Sequence, residues 1–138
     1  MNLPIPHAPL CHLAVAVESL SAAAPLYRSL GFVLEEPEVV TQEQVRAQVA
    51  RKGELCVELL EAHPPGAGPI TKFIARRGPG LHHVALRSTS LDADLAALAA
   101  AGAKPLPGYP APGLGGTRVA FLDPKTTGGV LIELVGPA

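Results

Sequence analysis

The sequence predicts an α+β protein made of two tandem β-α-β-β-β modules in one domain spanning residues 1–138. Three observations predict it. The segment Leu10-Cys-His12-Leu-Ala14-Val aligns without a gap on Leu81-His-His83-Val-Ala85-Leu, which carries Leu20 onto Leu91 and Gly31 onto Gly102. Each copy then reads as a strand, a helix and further strands. A stretch rich in Pro and Gly at residues 63–79 separates module one, about residues 10–62, from module two, about residues 80–136.

Taken in order, alternation from Leu10 to Val17 gives the first strand. Ser19 or Ser21 would cap the helix that follows and Gly31 would stop it, with Pro25 falling in the first turn or bending the helix. Strands are expected at Val39-Val40, Val45 to Ala50 and Leu55 to Glu61, the last two joined by a turn at Lys52-Gly53. The linker holds a short helix, Ile70 to Arg77. Module two opens with a strand from His82 to Arg87. A helix follows, capped by Ser90, running through Asp92, Leu95, Leu98 and Ala99, and closed by Gly102. Lys104 to Leu106, Thr117 to Leu122 and Val130 to Val135 complete the strands. Each module is too small to hide its own sheet face, so the two are expected to bury those faces against each other.

Composition narrows the function. Hydrophobic residues make up 48% of the 138, ample for a packed core. Eleven Lys and Arg against 12 Asp and Glu leave no field that would gather phosphate backbones or anionic lipid. With three Phe, two Tyr and no Trp, a base-stacking platform is not expected either. No apolar run approaches the roughly 18 residues of a membrane span, and the opening residues lack the basic region of a secretion signal, so the expected location is the cytoplasm. Cys11 and Cys56 read as two buried thiols in a reducing compartment.

Side chains alternate across a strand, so parity tells which ones point together. His12 shares a face with Ala14 and Ala16, Glu58 with Cys56 and Leu60, His83 with Ala85 and Arg87, and Glu133 with Leu131 and Val135. A carboxylate among Leu131, Ile132, Leu134 and Val135 is costly to desolvate unless something positive meets it. Each module contributes one histidine in its first strand and one glutamate in its last, 46 residues apart in the first and 50 in the second. Converging, the four would offer two imidazole nitrogens and two carboxylate oxygens to one divalent ion of the Co, Mn, Ni, Fe or Zn type. A single strand histidine is more often a hydrogen-bonded core residue, and a single glutamate an edge residue; recurrence at equivalent positions favours the metal. His7 and His63 read as surface residues, and His82, on the other face from His83, as structural.

The chain resembles the methylmalonyl-CoA epimerases of the vicinal oxygen chelate superfamily, the glyoxalase-like fold, from about Leu10 to Val135. The motifs are Cys11-His12-Leu-Ala-Val-Ala, Leu26-Tyr27-Arg28 to Leu30-Gly31-Phe32, Glu43-Gln44-Val45, Glu58-Leu59-Leu60-Glu61, Gly68-Pro69-Ile70-Thr-Lys72-Phe73, Gly80-Leu-His82-His83-Val-Ala, and Phe121-Leu-Asp-Pro124-Lys125 leading to Gly128-Gly129-Val-Leu-Ile-Glu133-Leu. The resemblance implies that His12, Glu58, His83 and Glu133 are the metal positions and that the reaction interconverts the (2R) and (2S) forms of methylmalonyl-CoA. It implies removal of the C2 proton, with a metal meeting the charge on the thioester oxygen as an enediolate forms, and Glu133 as one of two bases. The family's Glu-Gln-Gly-Val stands here without its glycine, so the next strand could be shifted by one. Gln48 then falls near the place of the second base, which an amide cannot fill, and Glu43 is the fallback. Arg87 is a candidate for the substrate carboxylate and Lys125 for CoA phosphates, with Gln44 also assigned to substrate. A plain solvated arginine and a plain turn lysine are the competing readings. A homodimer is implied, with no nucleic-acid or membrane partner.

Two rivals remain. A glyoxalase I-like lactoylglutathione lyase would use the same four ligands, and a bleomycin-resistance-type binding protein would share the paired modules but usually lacks a full ligand set. A ring-cleaving dioxygenase of this fold usually needs two His and one Glu from a longer chain.

Overall fold

The structure, a computed structural model, describes residues 8–138. His7 therefore lies outside the described residues. The described chain divides into two compact units, one of residues 12–82 and one of residues 83–138 with 8–11.

In the first unit, β1 (Leu10–Ala16) leads into α1 (Leu20–Ser29), then β2 (Val33–Leu34), β3 (Glu38–Val40), a 3-10 turn at Thr41–Glu43, β4 (Val45–Lys52), β5 (Leu55–Ala62) and α2 (Gly68–Arg77). The sheet order is β2-β4-β5-β1, with β3 also on β4. β1 and β5 run parallel, and β4 and β5 form an antiparallel hairpin turned at Gly53, whose φ of 58° suits a residue without a Cβ. Odd-numbered residues of β5, Val57 and Leu59, join Ala50, Val17 and Leu20 in a core under α1, with Tyr27 and Phe32 packed against it. Leu20, Ala24 and Tyr27 recur at helical spacing, which is why α1 lies flat on the sheet.

In the second unit come β6 (Gly80–Arg87), α3 (Leu91–Ala100), β7 (Ala111–Pro112), β8 (Arg118–Leu122) and β9 (Ile132–Gly136), with 3-10 turns before and after β8. Here the order is β6-β9-β8-β7, with β6 and β9 parallel. Leu91 and Leu95 of α3 pack on Ala120, Leu122 and Leu134. At Gly136 an added Cβ would stand 3.1 Å from the Leu91 Cβ, so the helix packs closely on the end of β9.

The α+β class, the first and last strands of each module and all three helices match the sequence reading within a few residues. Several details differ. Pro25 sits in the interior of α1, beyond its first turn. It lacks the amide that would meet the Ser21 carbonyl, and both residues are on the exposed side, where water replaces the lost partner. Ser19 is the cap of α1, accepting from the Ala22 amide, and the Glu61 carboxylate accepts from Leu20 N at 3.0 Å. Ser90 holds the N-cap position of α3 without a side-chain bond; the nearby Ser88 hydroxyl instead donates to the Asp94 carboxylate. Lys104 to Leu106 forms only an isolated bridge at Pro105 to Leu122, in which Leu106 N donates to the Phe121 carbonyl and Asp123 N to the Lys104 carbonyl. β2 and β7, two residues each, are added by their partners β4 and β8. Cys11 and Cys56 are half-buried rather than buried.

Leu59 is fully buried and Leu26 is 60% exposed. Truncating Leu59 to Ala is expected to cost about 2–5 kcal/mol in urea unfolding, whereas Leu26→Ala stays within about 0.5 kcal/mol.

Candidate metal centre

Register places the polar side chains before any contact does. In the first unit Ala14 of β1 lies opposite Glu58 of β5, and His12 stands two residues earlier on the same face. His12 is buried, and its Nδ1 lies 3.2 Å from Glu58 Oε2. In the second unit Ala85 of β6 lies opposite Glu133 of β9, and His83 stands two residues earlier. His83 Nε2 lies 3.1 Å from Glu133 Oε1, and both residues are buried. The two pairs are thus built by the same parallel-strand register, and Ala14, Ala16 and Ala85 around them are fully buried.

The pairs are not identical. Glu58 lies beside Val49 across the β4–β5 hairpin, while Glu133 lies beside Phe121 across β8–β9. Glu58's side chain is 13% exposed and Glu133's 5%. The imidazole nitrogen turned to the carboxylate also differs, Nδ1 in one and Nε2 in the other. Each carboxylate gains a partner that can carry positive charge, which offsets part of the desolvation it suffers. Among the described residues no buried side-chain nitrogen or oxygen lacks a hydrogen-bond partner.

The second unit also carries a feature that the sequence reading overlooked. The Phe121 ring stands edge-to-face on His83, centroids 4.9 Å apart at 89°, and Tyr109 meets Phe121 at 5.3 Å and 71°. Phe121 precedes Glu133 by 12 residues, so only the β8–β9 register reveals that they are neighbours.

Other residues singled out from the sequence fall as follows. His82 packs edge-to-face on Phe73 of α2 at 4.9 Å, in keeping with a structural role, and His63 is exposed. Gln48 lies opposite Leu59, on the α1 side of β4 and away from the Glu58 face, and its amide donates to the Glu35 carbonyl at 2.9 Å. It therefore does not occupy the place of a base on the Glu58 face. Glu43 ends a 3-10 turn and is half-buried. With no glycine after it, Gln44 itself takes the left-handed conformation, φ 55°, and its carbonyl accepts from the His63 amide. Gly68 crosses so near Gln44 that an added Cβ would stand 2.8 Å from the Gln44 Cβ. Arg87 is exposed, with Nη2 3.6 Å from the Cys11 sulfur. Lys125 is exposed in the 3-10 turn after β8.

A family model described as the glyoxalase/bleomycin resistance protein/dioxygenase superfamily matches residues 11–121. An ethylmalonyl-CoA/methylmalonyl-CoA epimerase of Cereibacter sphaeroides is 36% identical over 91% of this chain and 95% of that protein. A crystal structure of methylmalonyl-CoA epimerase from Mycobacterium tuberculosis superposes with a TM-score of 0.87 at 32% identity, covering 94% of this chain and 88% of that one. A methylmalonyl-CoA epimerase solved in complex with methylmalonyl-CoA and NH4+ also reaches 0.87 at 32% identity, with 95% of each chain covered.

Replacing Glu133 by Leu removes this carboxylate from His83 and is expected to cost about 1–3 kcal/mol of stability. Glu133→Gln, which keeps a hydrogen-bonding oxygen, is expected to cost less; paired urea titrations read the difference.

Proposed function

The chain belongs to the glyoxalase/bleomycin resistance protein/dioxygenase superfamily, and on that premise we propose that it is a metal-dependent epimerase interconverting (2R)- and (2S)-methylmalonyl-CoA. Its kinship with the methylmalonyl-CoA epimerases makes it an enzyme of the isomerase class. The observation that carries the reading is the repeated pair: each unit presents one imidazole and one carboxylate, joined at 3.2 and 3.1 Å by the same strand register.

We assign His12, Glu58, His83 and Glu133 to one divalent ion of the Co, Mn, Ni, Fe or Zn type. His12, His83 and Glu133 are all buried. The donor set fits. Two imidazole nitrogens and two carboxylate oxygens are donors that an ion of this type takes. Such an ion would supply positive charge opposite the negative charge that builds on the thioester oxygen as the C2 proton leaves.

The chain's own groups do the rest. Glu133, almost wholly buried beside His83, takes the C2 proton from one face of the substrate. Epimerisation needs a second acid on the opposite face to return a proton there. That role is assigned to Glu43, since Gln48 is engaged elsewhere and has no proton to exchange. Arg87, at the end of β6, is assigned to the substrate carboxylate, Lys125 to the CoA phosphates, and Gln44, fixed beside Glu43, to the substrate as well.

The reading extends to a homodimer working in the cytoplasm. Leu26, Leu30 and Val33 of the first unit, 60%, 49% and 74% exposed, support an association surface. No helix among the described residues is long and apolar enough to cross a membrane.

The test follows the C2 proton of methylmalonyl-CoA by NMR in heavy water. The metal-loaded protein is expected to exchange it, chelation to stop the exchange, and added Co2+ to restore it. Glu133→Gln should slow the exchange about 10²- to 10⁴-fold. A metal-loaded protein that leaves that proton in place removes the assignment.

A further inference from the structure

We propose that Phe121 is a positioning residue that locks the ring plane of His83. The inference rests on the metal reading above and adds to it a difference between the two histidines. Phe121 is buried on β8, directly opposite Glu133, and its ring meets the imidazole at 89° with centroids 4.9 Å apart. Tyr109 in turn meets the Phe121 ring edge-to-face at 5.3 Å.

An imidazole can turn about its two side-chain torsions, and a half-turn about the second puts Cε1 where Nε2 stood and Cδ2 where Nδ1 stood, which takes Nε2 away from its partner. For His83 that half-turn would sweep the ring through the volume that Phe121 fills. Nε2 is therefore kept at 3.1 Å from Glu133 Oε1. The interior is close-packed around it: Ala85, Val119 and Val135 form the cluster against which Tyr109 rests.

The first unit supplies the comparison. At the position opposite Glu58 it has Val49, a short aliphatic side chain with no ring to set against His12. His12 turns its other nitrogen, Nδ1, to the carboxylate, and that carboxylate is more exposed. The glutamate of one pair thus has a phenylalanine across the strands and that of the other a valine. Replacing a group that orients a ligand without touching the ion typically costs about 10- to 100-fold in metal affinity.

The experiment uses the purified full chain, stripped of metal and titrated with Co2+. Competition with a chelator gives the dissociation constant, and the visible absorption of the bound ion reports ligand geometry. Neither readout depends on turnover. Phe121→Val copies the first unit, Phe121→Leu keeps bulk without a ring, and Phe121→Tyr keeps the ring. The valine and leucine variants are expected to bind Co2+ about tenfold more weakly with a shifted absorption band, and the tyrosine variant to recover both. Folded valine or leucine variants with wild-type affinity and absorption would overturn the proposal.

A parallel measurement separates this from the underlying metal reading. In metal-free protein, the His83 ring protons should show a ring-current shift that Phe121→Leu abolishes. If wild-type protein takes up no Co2+, the metal reading fails, and the ring protons still decide: unchanged His83 signals in the leucine variant would overturn the bracing by Phe121.

Discussion

The cost of dehydrating a carboxylate governs both halves of this chain. Glu133 lies on a strand between Ile132 and Leu134 and is almost wholly withdrawn from water. Such a group persists only if a partner able to bear positive charge stands within hydrogen-bond reach. The parallel pairing of β6 with β9 brings His83 to that distance, and the pairing of β1 with β5 does the same for Glu58 and His12. Shifting either register by one residue would turn the glutamate towards the helix side, where Leu59 and Leu134 now pack, so sheet register and site chemistry are set by one constraint.

That constraint leaves the rest of each unit free to diverge. The two copies keep the strand, the helix and the pair, yet surround them differently: valine against phenylalanine beside the glutamate, and a strand carboxylate against an intramolecular serine–aspartate bond at the start of the helix. A repeated scaffold with unequal surroundings suits a reaction in which the two faces of one carbon need different groups.

Much of the fold was readable because its signals are local. The period-two burial of β1 and β6 and the i, i+4, i+7 apolar positions of α1 and α3 are written in consecutive residues. Parity alone put His12 with Ala14 and His83 with Ala85. What escaped depends on distant partners. β2 and β7 exist only because β4 and β8 offer them hydrogen bonds, and the three residues from Lys104 have strand-like sequence but a proline at their centre. The absent glycine near Glu43 suggested a shifted strand; the chain instead forces Gln44 into the left-handed turn and begins β4 directly on Val45. Phe121 was visible as a motif residue, but its contact with His83 follows from a pairing across 12 residues that no local pattern encodes.

The Glu61 carboxylate at the start of α1 bears on how the first unit assembles. Ser19 can cap the helix from within its own turn, whereas Glu61 reaches Leu20 N from 41 residues further along, on the face of β5 opposite Glu58. Closing so long a loop carries an entropic cost that must be met before that bond can form. α1 can therefore begin locally but gains its second cap only once β5 has aligned beside β1, which couples helix completion to the arrival of the strand that carries Glu58. The folding kinetics of this half of the chain are thus tied, through Glu61, to the strand that brings Glu58 to His12.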